Sequence, residues 1–160
     1  MIIKSDGIFL RLSDKNDRGL AELIDNSDDL VNMSETTTYP ENMPTEIIFR
    51  IEKDGAVIGK ITFSRIRWYN RKSEISIIIK HNFRGKGFGT EALMSAMHYA
   101  FDRMNLHRLE AEVYDFNEAS IKLVEKLGFK KEGLLREAKY MDGKYYGIIR
   151  YGILKDEFNR

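Results

Sequence analysis

Cysteine is absent from the 160 residues. That excludes a disulfide framework, a thiolate nucleophile and a cysteine-ligated zinc site, leaving His81, His98 and His107 as the only imidazoles, and no metal is expected. An excess of charge of either sign is also lacking, since 26 Lys and Arg against 25 Asp and Glu leave a net +1. Without a basic surplus the chain has no bulk attraction for nucleic acid or an anionic membrane, and neither is expected as a partner. Long apolar runs are missing as well: Lys4 and Asp6 interrupt the first residues, and the longest apolar stretches are strand-sized. A cytoplasmic protein is expected. What is present is a composition 42% hydrophobic and 32% charged, which suits one domain with one core and a solvated surface.

The chain changes character near residue 45. Before it the sequence is polar and weakly periodic, with turns at 26–29 and 40–44 around short helices that use Leu20, Leu23 and Ile24. After it, strand patterns at 47–51 and 57–66 flank Asp54-Gly55, a dipeptide that supplies positive φ in tight hairpins, and an isoleucine-rich strand follows at 74–80. These three should form an antiparallel sheet. Leu93, Met97, Ala100, Phe101 and Met104 recur at helical steps, 108–114 reads as a strand, and 117–127 reads as a helix opened by Asn117 and closed by Gly128. Two last strands, 129–140 and 145–154, are joined by Asp142-Gly143. The expected order is β-α-α-β-β-β-α-β-α-β-β, an α/β (α+β) mixed sheet covered by helices, because strands separated by a helix tend to run parallel.

The segment Arg84-Gly85-Lys86-Gly87-Phe88-Gly89-Thr90 lies between the isoleucine-rich strand and the long helix. Alternate glycines let the backbone approach a ligand, their N–H groups add to the positive end of the helix, and Arg84 and Lys86 add formal charge. This is the pattern of a pyrophosphate cradle. The Walker spacing is not met, and the third glycine of the dinucleotide fingerprint would fall on Thr90. A glycine-rich turn that merely opens a helix is the plainer alternative.

The stretch from Glu74 to Phe129 resembles the GNAT superfamily of acetyl-CoA-dependent N-acetyltransferases, whose Arg/Gln-x-x-Gly-x-Gly/Ala signature is met by Arg84, Gly87 and Gly89. Val113, Asn117, Ala119-Ser120-Ile121 and Glu125-Lys126-Leu127-Gly128-Phe129 look like the family segment that lines the pantetheine arm. Glu132-Gly133, Leu135-Arg136, Asp142-Gly143, Tyr145 and the closing residues 153–158 are similar to the branch holding ribosomal-protein N-terminal and spermidine N-acetyltransferases. The resemblance implies a single domain over 1–160, in which 46–158 bind the cofactor and 1–45 form a helical region on the acceptor side. It implies acetyl-CoA as co-substrate and an amine acceptor, either a small molecule or a protein N-terminus, and it is compatible with a homodimer. A polyamine acetyltransferase is the alternative within the class, and a catalytically silent CoA-binding regulatory module is the alternative outside it.

By the same resemblance, the cofactor falls to the backbone around Ile78 and Ile79, the loop residues Arg84, Gly85, Lys86, Gly87, Phe88, Gly89 and Thr90, and Asn117, Ser120 and Lys122. Asn117 can equally be a helix cap, Ser120 and Lys122 a solvated face, and Phe83 and Phe88 core residues. Glu74 matches a catalytic glutamate of several members, with an exposed strand residue as its alternative, and Val124 stands where many members carry a tyrosine that protonates the leaving thiolate. A thiol of pKa near about 8.5 leaves without an acid at a cost of at most ~2 kcal/mol. Deprotonating an alkyl ammonium at neutral pH costs about 4 to 5 kcal/mol, against ~1 for an α-amine, so a lightly equipped site favours the α-amine.

Overall fold

Two Asp-Gly dipeptides set the frame of the sheet. The computed structural model describes residues 2–5, 8–11, 13–14, 16–19 and 42–158, and the chain divides into two compact units, Met1–Thr38 and Tyr39–Arg160. In the first, β1 (Ile2–Ser5) and β2 (Ile8–Arg11) pair antiparallel, where the sequence suggested one strand. The helices expected from Leu20, Leu23 and Ile24 lie outside the described residues.

In the second unit, Asp54 and Gly55 (φ 50° and 79°) join β3 (Ile47–Lys53) to β4 (Ala56–Arg67), and Asp142 and Gly143 (φ 50° and 77°) join β7 (Lys130–Met141) to β8 (Lys144–Leu154). Positive φ at both central residues is the turn whose twist matches the flanking strands, which is why these positions select Asp-Gly. β5 (Lys72–Ile79) and β6 (Arg108–Tyr114) complete a six-stranded sheet in the order β3-β4-β5-β6-β8-β7. All its neighbours are antiparallel except β5 and β6.

Helix α1 (Phe88–His98) follows β5 and continues as a π-helical turn over Tyr99–Arg103. There the Met104 N–H reaches the Tyr99 carbonyl at 3.1 Å, and Leu106 N–H reaches Ala100 at 3.0 Å. Leu93, Met97, Ala100 and Phe101 stay on one buried face against Phe63 and Ile75 of the sheet. Helix α2 (Glu118–Lys126) ends in a left-handed Gly128 (φ 89°), with Gly128 N–H on the Glu125 carbonyl and Phe129 N–H on that of Val124. These two hydrogen bonds satisfy carbonyls that the helix end would otherwise leave unpaired. A short helix α3 (Lys155–Phe158), not expected from the sequence, closes the described chain.

The apolar cluster occupies one sheet face, where Ile61, Phe63, Ile75, Leu109, Ala111, Val113, Ile149, Tyr151 and Ile153 meet the helices. Strand parity puts Lys72, Glu74, Glu110, Glu112 and Arg150 on the other face. That face is laced by ion pairs: Lys72 and Arg108 to Glu110, Arg108 to Glu132, and Arg150 to Glu112.

Candidate functional site

β5 and β6 are paired only from Lys72–Arg108 to Glu74–Glu110, and beyond that point the two parallel strands splay. The phase of the β4–β5 ladder fixes which groups the splay leaves open. Lys80 N–H donates to the Ile58 carbonyl at 2.8 Å, so in the antiparallel alternation Lys60–Ile78 is also a bonded pair, whereas Gly59–Ile79 and Ile61–Ile77 are not. Ile77 and Ile79 therefore direct their N–H groups away from β4, toward the strand that has diverged. The Ile79 carbonyl on that side accepts from Arg84 Nε at 2.8 Å. Gly59 is needed here because a Cβ would lie 2.3 Å from the Ile78 carbonyl oxygen.

Past β5, Gly85 and Gly87 adopt φ 71° and 87°, and Gly87 is the N-cap of α1 without a side-chain bond to the helix. Intrahelical bonding begins with Glu91 N–H on the Gly87 carbonyl at 3.1 Å. The N–H groups of Phe88, Gly89 and Thr90 thus form the open, electropositive first turn of an eleven-residue helix. A Cβ added at Gly85 or Gly87 would meet nothing within 4 Å, so these glycines serve the left-handed backbone and an unobstructed approach rather than internal packing.

The splay, the loop and α2 together bound a cleft of about 550 Å³. Ile77, Ile78 and Ile79 form one wall, Arg84, Gly85, Gly87, Gly89 and Thr90 the floor, and Asn117, Ala119, Ser120, Lys122, Leu123 and Lys126 the other wall, with Phe83 beside them. Among the described residues three cations and no carboxylate line it, a charge balance suited to phosphates. Asn117 caps α2, its Oδ1 accepting from Ser120 N–H at 3.2 Å, while facing the cleft. Both of its expected roles are sterically compatible.

Some expected residues sit elsewhere. Lys86 lies over the Phe83 ring at 5.8 Å, and Phe88 turns into the groove between β3, β4 and α1 under Lys53. Neither side chain faces the cleft, although Phe88 still offers its backbone N–H. Ile78 lines the cleft, but its N–H belongs to the β4 ladder, so the open donors are those of Ile77 and Ile79. Glu74 is not part of the cleft wall: it precedes Ile78 by four residues, about 13 Å along a strand, and its carboxylate binds Arg65 at 2.7 Å. The β4 bulge between Ser64 and Arg67, with Arg65 at φ 48°, turns Arg65 toward it. Val124 is buried in the core cluster rather than placed at the cleft. Ala119 and Lys126, which the resemblance places in the pantetheine segment, line the cleft; Leu123 is a lining residue that sequence reasoning missed, although its three- and four-residue spacing with Ala119, Lys122 and Lys126 already marks one helix face.

The strongest electrostatic perturbations lie outside the cleft. The Arg108 guanidinium holds the Glu132 carboxyl below its ordinary value and is itself raised by that bond. Burial would push Glu110 up, but Arg108 and Lys72 together hold it below the carboxylate range. Burial and a 2.9 Å bond to Glu125 push the Tyr151 hydroxyl to about 12, so it fastens α2 to β8 as a neutral donor.

Residues 14–130 match the acetyltransferase (GNAT) domain family. A spermidine N(1)-acetyltransferase of Escherichia coli is 36% identical over 110 residues, 69% of this chain and 59% of the relative. A putative ribosomal N-acetyltransferase of Bacillus subtilis is 34% identical over 105 residues, 66% of this chain and 57% of the relative. The chain thus spans a little under three fifths of the length of these curated relatives. The crystal structure of a Vibrio cholerae spermidine N-acetyltransferase in complex with CoA and spermine superposes with a TM-score of 0.69 at 30% identity, covering 72% of this chain and 69% of that one. A mixed sheet that splays beside a glycine-opened helix, together with a family match over most of its length, establishes that the chain belongs to the GNAT acetyltransferase family.

Proposed function

We propose that the protein is an N-acetyltransferase that moves the acetyl group of acetyl-CoA to a primary amine in a ternary complex. The observation that carries this reading is the presence of two donor sets lining one cleft: the uncapped first turn of α1 and the N–H groups of Ile77 and Ile79. The first set, with Arg84, Lys122 and Lys126, suits the pyrophosphate. The second suits the thioester oxygen, where backbone donors stabilise negative charge as it develops. Acetyl-CoA supplies the activated acyl group. The lone pair of the neutral amine forms the C–N bond, the C–S bond breaks, the sulfur leaves with its electron pair, and the proton shed by nitrogen balances it. With no cysteine, a thiol acyl-enzyme is closed off, and direct attack needs none.

The acceptor we favour is an α-amine, such as a peptide or protein N-terminus. Among the described residues no carboxylate lines the cleft and Val124 offers no acid, so an amine that is already partly neutral at pH 7 demands least of the site. The names of the relatives favour a second reading, a polyamine acceptor. A cytoplasmic location fits either. The test is release of free thiol from acetyl-CoA with a panel of N-terminal peptides, polyamines and aminosugars. Turnover with peptides supports the α-amine, turnover with polyamines supports the second reading, and CoA binding without any turnover would make the protein a CoA-responsive module.

A further inference from the structure

The β6–β8 ladder ends in an exchange of acceptors. Tyr114 pairs with Ile148, and the next pair in register is Asp115 with Gly147. Asp115 N–H donates to the Gly147 carbonyl at 3.1 Å, as a ladder requires, but the Gly147 N–H donates at 2.9 Å to the side-chain Oδ2 of Asp115. The carboxylate stands in for a main-chain acceptor because the backbone is already leaving the sheet. Asn117 N–H closes a turn on the Tyr114 carbonyl at 2.9 Å, and two contacts later the chain is in α2, with Asn117 Oδ1 on Ser120 N–H and the Asn117 carbonyl on Ile121 N–H. Gly147 is buried, and a Cβ there would fall 2.7 Å from Asp115 Oδ2 and 2.8 Å from Leu134 Cδ1. Its glycine is thus explained by close approach, not by backbone conformation.

We infer that Asp115 is a positioning residue of the cleft: with Gly147 it clamps the departure point of β6, and so fixes where Asn117 and Ser120 stand opposite Ile77 and Ile79. Asp115 does not line the cleft itself, so its effect on a ligand must pass through the α2 start. The inference rests on the reading of the cleft as a CoA site. It also links the β7–β8 hairpin to that site, since β8 reaches the cleft wall through this clamp.

The test pairs hydrogen exchange in the ligand-free protein with calorimetric CoA binding, both well below the melting temperature. Asp115→Ala should speed exchange of the Ser120 and Ile121 amides and weaken CoA binding about three- to tenfold, the size of one net hydrogen bond. Asp115→Asn keeps a carbonyl acceptor and should restore both. Gly147→Ala, which drives the clamp open from the other side, should mimic Asp115→Ala, and the double variant should cost less than the two effects combined. A melting temperature lowered with CoA affinity unchanged would reduce Asp115 to a stabilising residue and overturn the inference. So would unchanged exchange in Asp115→Ala, or an Asn variant that behaves like Ala. Absence of CoA binding by the wild-type protein would overturn the reading of the cleft and the inference with it, whereas unchanged exchange overturns the inference alone.

Discussion

Replacing Gly87 by alanine separates two costs that glycine loops usually confound. Gly87 is held at φ 87° as the N-cap of α1, and a Cβ built there meets no atom within 4 Å. The penalty in the unliganded protein is therefore conformational, about 1–2 kcal/mol for an L-residue in the left-handed region. For a chain of 160 residues that lowers the melting temperature by about 2–8 °C and leaves the protein folded. Gly87 itself lines the cleft. A methyl group there should hold an anion off the N–H groups of Phe88, Gly89 and Thr90 and weaken CoA binding at least tenfold, which corresponds to about 1.4 kcal/mol. Gly143 provides the control: it has φ 77°, its Cβ also meets nothing within 4 Å, and it lies in the β7–β8 turn. Gly143→Ala should cause a similar thermal shift with CoA affinity unchanged. Calorimetric titration with CoA and thermal unfolding by circular dichroism measure the two quantities. Wild-type affinity in Gly87→Ala, or equal loss of affinity in Gly143→Ala, would refute the assignment of the loop as the pyrophosphate cradle.

The remaining predictions concern charge. Lys122→Ala and Lys126→Ala should each weaken CoA binding about threefold, and raising the salt from 50 to about 500 mM should weaken the wild-type complex more than the double variant, because screening acts on the charges removed; equal salt slopes would exclude these lysines. Glu74→Gln should lower kcat less than about threefold, because the carboxylate is engaged by Arg65 away from the cleft wall. A fall of about a hundredfold, partly reversed at higher pH, would establish it as the general base. Glu110 and Glu132 are held below their ordinary value of 4.5 in the folded state. Their contribution to stability is therefore present above about pH 4.5 and lost as pH falls from there through the depressed folded values. Urea unfolding between pH 6 and 3 should show that loss, and Arg108→Gln, which removes the cation the two carboxylates share and leaves Glu110 with Lys72 alone, should reduce it. An unaltered slope would place the acid sensitivity elsewhere.

The sequence by itself determined what depends on neighbours along the chain. Asp54-Gly55 and Asp142-Gly143 become two-residue turns because those φ values are open to few other residues, and Gly128 stops α2 for the same reason. The apolar spacing from Leu93 to Met104 fixes the buried face of α1, and the glycines before it announce an uncapped helix start. Tertiary structure alone decided the phase of the hydrogen-bond ladder. Whether Ile77, Ile78 or Ile79 offers a free N–H depends on the register of β5 against β4 and on β6 parting from β5 after Glu74, and identical isoleucines carry no trace of either. The bulge that turns Arg65 onto Glu74, the packing that draws Phe88 away from the cleft, and the carboxylate of Asp115 reaching Gly147 are of the same kind. Each joins residues distant in sequence, and pairing across such distances is settled by the packing of the whole sheet rather than by any local preference.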